Sequence, residues 1–203
     1  AGPDGATHQA LEDVAIMRVL PNMKVLVPAD ANQTRAAALA AASIEGPVYV
    51  RFGRNPVPVI YPEDCSVVSG GADVLREGGD VLLIAAGAMV AACLEAATAL
   101  EAGGVSATVI NAYSIKPLAE DLIIEAAGRC GRVVVAMDHQ EAGGLFGAVA
   151  ELLARRCPVP VEPVCVADRF GESGSPEEVF AILGLTAEGV AAAARRVLER
   201  RAR

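Results

Sequence analysis

The sequence predicts an α/β fold: a three-layer α/β/α sandwich on a mostly parallel sheet. Three observations predict it. From Asp80 onward, short apolar runs alternate with helical stretches, the βαβα rhythm of a parallel sheet with crossover helices. The runs are continuously apolar, as strands buried on both faces must be. Hydrophobic residues make up 53% of the 203 residues, yet aromatics are only 3% and Trp is absent. Val, Leu, Ile and Ala must therefore build the core, which suits Ala-rich helices laid on Val-rich strands.

The elements follow in order. Residues 1–9, AGPDGATHQ, concentrate turn-forming types and read as a structured loop. Leu11, Val14, Ala15 and Val19 have helical spacing, and Pro21-Asn22 ends that helix. Lys24 to Val27 is a short strand. Asp30 is placed to cap an Ala-rich helix over 32–43. Gly46-Pro47 breaks the chain before a strand from Val48 to Phe52. These two strands and two helices cannot cover both faces of a sheet, and a piece of roughly 60 residues is marginal. It is expected to be the end of a larger domain or to need a partner.

Residues 61–79 read as a linker, rich in Pro and Gly, with a short strand or two. The regular pattern follows: strands over 81–87, 105–111, 133–138 and 161–166, and helices over 89–101, 119–128, 145–156, 176–183 and 187–201. The expected division is 1–60, 61–79 and 80–203.

Charge and cysteine usage narrow the function. The net charge is −8, and an acidic chain lacks the basic face that nucleic acid requires. The Arg-rich stretch from Arg195 to Arg203 suits the negative end of a helix. Five cysteines, none in CxxC spacing, argue against both a disulfide framework and a zinc site. Free thiols fit a reducing, cytoplasmic setting. No apolar run reaches the ~20 residues of a membrane span. The chain begins with Ala1 rather than Met, so an upstream segment is expected.

Two histidines are present, His8 and His139. The run Asp4-Gly5-Ala6-Thr7-His8-Gln9 places a carboxylate, a hydroxyl, an imidazole and an amide in one loop ahead of a helix. Its residues alone allow two readings: a helix-capping loop with a surface imidazole, or a site where Asp orients a hydroxyl and His moves a proton. His139 follows an apolar strand and precedes Gly143-Gly144. That pattern suits close helix–sheet packing or an anion-binding helix start. Glu12 and Asp13 are adjacent, so on a helix they do not face one another, and a solvated face is expected. Gly171-Glu172-Ser173-Gly174-Ser175 lacks the final Gly and the strand–turn–helix setting of a nucleophile elbow.

The stretch GPDGATHQALEDVAIMRVLPNMKVLVPADA, then GPVYVRFGRN, INAYSIKPL, DHQEAGGLFGAVAELL and ADRFGESG, resembles the transketolase family across essentially the whole chain. It is similar to the separately encoded C-terminal section of split transketolases: part of a pyrimidine-binding domain, then the C-terminal domain. The resemblance implies transfer of a two-carbon ketol unit between sugar phosphates on thiamine diphosphate with Mg2+. It implies that Asp4 binds a donor hydroxyl and that His8 bonds the substrate near the reacting carbon and assists proton transfer. It makes Arg54 the arginine that grips substrate phosphate. Arg51 is the second candidate, in a position where deoxyxylulose-phosphate synthases look similar. Guanidinium suits phosphate because it donates two parallel hydrogen bonds.

No segment matches the family's GDG…N diphosphate and metal motif, and the activating glutamate and ring-stacking aromatic would lie upstream of residue 1. The resemblance therefore implies no cofactor-binding or metal-binding residue in this chain, an N-terminal transketolase section as partner, and a homodimer or heterotetramer. Where the family pattern carries Glu-Glu-His, this chain has Asp138 before His139, a small departure. Rival readings are the β component of a 2-oxoacid dehydrogenase, a deoxyxylulose-phosphate synthase and, in another class, a non-catalytic assembly module.

Overall fold

The computed structural model describes residues 5–200. A 3-10 turn over Ala6–His8 leads to helix α1, Asp13–Val19. Strand β1 (Lys24–Leu26), helix α2 (Ala31–Ala41) and strand β2 (Val48–Val50) complete the first segment. Then come β3 (Asp73–Arg76), β4 (Val81–Ala85), α3 (Met89–Ala102), β5 (Ala107–Asn111), β6 (Ser114–Lys116) and α4 (Glu120–Cys130). The chain ends with β7 (Val133–Gln140), α5 (Leu145–Arg156), β8 (Val161–Val166), α6 (Pro176–Leu183) and α7 (Ala187–Glu199).

The larger sheet has the order β3-β5-β4-β7-β8. Three of its four strand pairings follow the sequence expectation: β5, β4, β7 and β8 run parallel, and the edge strand β3 pairs antiparallel with β5. Side-chain alternation splits each strand between two cores. Val81, Leu83 and Ala85 face α3 and α7, whereas Leu82 and Ile84 face α4 and α5. Helices therefore cover both faces, as a parallel sheet requires.

The smaller sheet has the order β2-β1-β6. Here β1 pairs parallel with β2 and antiparallel with β6, a strand that follows β5 immediately in sequence. Leu26 packs toward α2 with Ala36, Ala37 and Tyr113. Val25 and Val27 point the other way, into the core that holds Ile84, Ile110 and Met137. The first segment thus buries its second face against the rest of the chain.

Local chemistry explains the helix starts. Asp30 caps α2 by accepting from the Gln33 N–H at 2.8 Å. Ser175 and Glu178 form a reciprocal capping box on α6, with Pro176 at the first position. Ser175, standing where a nucleophile elbow would carry its final Gly, is thereby a helix cap. No helix among the described residues is long and apolar enough to cross a membrane.

Candidate functional site

The loop carrying His8 is folded by its own backbone. The His8 N–H donates to the Gly5 carbonyl at 3.0 Å. Gly5 has φ 80°, and a Cβ there would come within 2.8 Å of Ser173 Oγ, so this turn requires glycine twice over. His8 is exposed, and its ring meets Thr7 Oγ1 at 3.0 Å. Asp4 lies outside the described residues.

Three tethers hold the residues that follow His8. Gln9 Nε2 donates to the Glu172 carbonyl at 2.7 Å. Arg51 Nη2 donates to the Ala10 carbonyl at 3.1 Å. The Gln140 N–H donates to the Leu11 carbonyl at 2.7 Å. Gln140 also donates through Nε2 to the Arg169 carbonyl at 2.7 Å. The loop over 168–174, in which Arg169 pairs with Glu172, therefore backs the segment that follows His8.

Arg51 sits just past β2 and points inward. Its Nη1 meets Asp138 Oδ1 at 2.8 Å, its Nη2 meets the Asp138 carbonyl at 2.9 Å, and its Nε lies 3.3 Å from Asp13 Oδ2. The three side chains are only 12%, 14% and 19% exposed for Arg51, Asp13 and Asp138. Burial pulls the guanidinium pKa down, but Asp138 and Asp13 outweigh it and the net direction is up. Tyr49 donates to Asp13 Oδ2 at 2.7 Å. Burial and that bond push the phenol up to about 12, so it stays a donor. Asp13 is thus an inward-facing carboxylate, correcting the solvated face expected for it. Glu12 does face outward, accepting from the Leu11 N–H at 2.9 Å.

His139 is fully buried beside this cluster. Its Nδ1 is 2.8 Å from the Gln140 carbonyl, an acceptor, so Nδ1 carries the hydrogen. Its Nε2 accepts from the Ala15 N–H at 3.4 Å. Burial lowers its pKa, and the bond to Gln140 only partly offsets this. A Cβ on Gly144 would lie 2.6 Å from His139 Nδ1, so the glycine permits the helix to close on the ring.

Arg54 is exposed, three residues beyond Arg51. The structure therefore separates the predicted residues into two environments. His8 and Arg54 lie at the surface; Arg51 is buried under two carboxylates. Sequence reasoning missed Asp13, Tyr49 and Asp138 as a joined cluster. The one signal available was an isolated Arg between apolar strand residues, which demands buried counter-charges.

Among the described residues no group of three or more His, Cys, Asp or Glu is placed to hold a metal ion. His8 presents an exposed imidazole and Arg54 an exposed guanidinium. Among the described residues these groups form no cradle for a diphosphate and its cation.

A segment with its own three-stranded sheet joined to a larger three-layer α/β unit defines the class. Residues 70–190 match the transketolase C-terminal domain, and residues 1–60 match the transketolase pyrimidine binding domain. The chain belongs to the transketolase family. It is 42% identical over 198 residues to a 6-deoxy-6-sulfo-D-fructose transketolase subunit of Clostridium sp. strain MSTE9, covering 98% of this chain and 62% of that protein. It is 38% identical to a 1-deoxy-D-xylulose-5-phosphate synthase of Heliobacterium modesticaldum, covering 98% of this chain and 31% of the synthase. A solved split gene transketolase, described as an inactive beta4 tetramer, superposes with TM-score 0.90 and 48% identity, over 95% of this chain and 62% of that one. The chain thus spans less than two thirds of each of these relatives.

Proposed function

We propose that this chain is part of the C-terminal section of a thiamine-diphosphate-dependent transketolase, incomplete as a catalyst by itself. The observation that supports this reading is the match over 98% of the chain to a 6-deoxy-6-sulfo-D-fructose transketolase subunit of which it spans 62%. The enzyme moves a two-carbon ketol unit: a C–C bond of a ketose phosphate breaks, and a new one forms to the aldehyde carbon of an aldose phosphate. Thiamine diphosphate with Mg2+, held by residues outside this chain, supplies the electron sink. On this chain Asp4 binds a donor hydroxyl, and His8 orients substrate and moves a proton. Arg54 takes the phosphate. Arg51, whose donors already meet Asp138, Asp13 and Ala10, is the weaker phosphate candidate. The partner is an N-terminal transketolase section in a homodimer or heterotetramer. The free cysteines suit a cytoplasmic location.

The likeness to the synthase supports one rival, in which the donor is a 2-oxoacid. One experiment separates the readings. The intact chain is combined with its N-terminal section, thiamine diphosphate and Mg2+, and assayed with a ketose phosphate or a 2-oxoacid as donor. Ketol transfer supports the proposal, turnover of the 2-oxoacid alone supports the rival, and a complex that forms without turnover of either supports an assembly module.

A further inference from the structure

We propose that Arg51 is a positioning residue for the His8 loop rather than a ligand of substrate phosphate; this rests on the ketol-transfer reading of the site. Three of the five guanidinium N–H donors are hydrogen-bonded, Nη1 to Asp138 Oδ1 and Nη2 to the carbonyls of Asp138 and Ala10, and Nε faces Asp13 Oδ2 at 3.3 Å as an ion pair. A phosphate ligand needs a free pair of parallel donors, and this side chain is 12% exposed. What it does reach is the Ala10 carbonyl, two residues after His8. Its own backbone N–H is fixed to the Leu26 carbonyl at 2.8 Å, so β1 anchors the strand end from which the side chain extends. Asp138 belongs to β7, an interior strand of the larger sheet flanked by β4 and β8.

Arg51 therefore ties three things together: the rigid end of β7, the start of α1 through Asp13, and the loop that presents His8. Among the described residues the imidazole hydrogen-bonds only to its neighbour Thr7, and the tethers at residues 9, 10 and 11 fix the backbone that carries it. A displacement of about 1 Å at a reacting group costs on the order of a hundredfold in rate. Arg54, on the same strand exit, is carried by the same anchor.

The test uses the full chain assembled with its N-terminal section. Wild type, Arg51→Lys, His8→Ala and the double variant are assayed with a phosphorylated ketose donor and with the same ketose lacking phosphate. Arg51→Lys is expected to lower kcat by about tenfold to a hundredfold for both donors. The preference for the phosphorylated donor should be unchanged, and the penalty should largely vanish in the His8→Ala background. Collapse of the phosphate preference, or a full penalty without His8, overturns the proposal. Asp138→Asn, which keeps an acceptor for Nη1 but removes its charge, serves if Arg51→Lys does not fold. It must show a smaller penalty with the same dependence on His8, and independence from His8 overturns the proposal.

A second readout needs no turnover. Hydrogen exchange at the backbone over 6–11 should quicken in Arg51→Lys, and unchanged exchange counts against positioning. If wild type transfers no ketol unit, the functional reading fails while this readout still decides the positioning role.

Discussion

Arg51 Nη1 lies 2.8 Å from Asp138 Oδ1, although 87 residues separate them in sequence. The pair joins the end of β2 in the smaller sheet to the end of β7 in the larger one. Removing one member of a buried pair leaves the other charge uncompensated, which costs about 3–5 kcal/mol. Asp13 stays beside Arg51, so Asp138→Ala should cost about 3 kcal/mol, at the low end of that range. Urea denaturation checks this. A loss below about 1 kcal/mol would place the pair with exposed salt bridges.

Acid should weaken the fold through His139. Its native pKa lies below the ordinary 6.5 because burial disfavours the charged ring. The unfolded chain then takes up the proton first. The stability associated with neutral His139 is fully present above the unfolded pKa of 6.5 and is lost as pH falls through that value toward the lowered folded one. Asp13 at 3.9 Å opposes the shift, while Arg51 reinforces it. Between about pH 7.5 and about pH 5.5, wild type should lose more Tm than His139→Gln. Equal losses in a thermal melt would remove His139 from the account.

Asp30 is the most heavily used carboxylate in the first segment. Its Oδ1 accepts from Gln33 N–H at 2.8 Å, and its Oδ2 accepts from the Ile60 and Tyr61 N–H groups at 2.6 and 2.7 Å. Asp30→Ala removes a helix cap and strands two backbone donors, a combined cost of about 4 kcal/mol. Asp30→Asn keeps one acceptor oxygen and should cost distinctly less. Chemical denaturation of both variants gives the comparison, and equal stabilities would contradict it.

His8→Ala and Arg54→Ala should separate in steady-state kinetics of the assembled enzyme. Hydrogen bonds to charged groups are worth about 1.5–3 kcal/mol, or roughly ten- to a hundredfold in kcat/KM. His8→Ala should act mainly on kcat, and Arg54→Ala mainly on KM for phosphorylated sugars. Wild-type kinetics in both variants would end the assignment.

Much of the fold was legible because it rests on local pattern. The bounds of α5, β8 and α6 agree with the sequence reading, since each is framed by Gly, Pro or a cap. β6 was not legible: Ser114-Ile115-Lys116 is too short to show a period, and its partner β1 lies far away in sequence. Helix α1 starts at Asp13 rather than near residue 10 because Ala10 and Leu11 give their carbonyls to Arg51 and Gln140. Of the candidate site, Asp4, His8, Arg54 and Arg51 could be named from motif, but not the carboxylates that Arg51 meets. The buried cluster could not, because Asp13, Tyr49, Arg51 and Asp138 meet only once two sheets are assembled.

The path from β5 to β6 has a mechanical consequence. The chain leaves the larger sheet at Asn111 and enters the smaller one at Ser114, with only Ala112 and Tyr113 between. There the Tyr113 carbonyl accepts from Val27 N–H at 2.7 Å, and Lys116 Nζ donates to the carbonyls of Arg18 and Leu20 at 2.7 Å each. Swinging one sheet against the other would shear that ladder and pull the lysine from the end of α1. The two sheets are therefore geared together at this link, so that a shift of one is transmitted to the other through Ala112 and Tyr113.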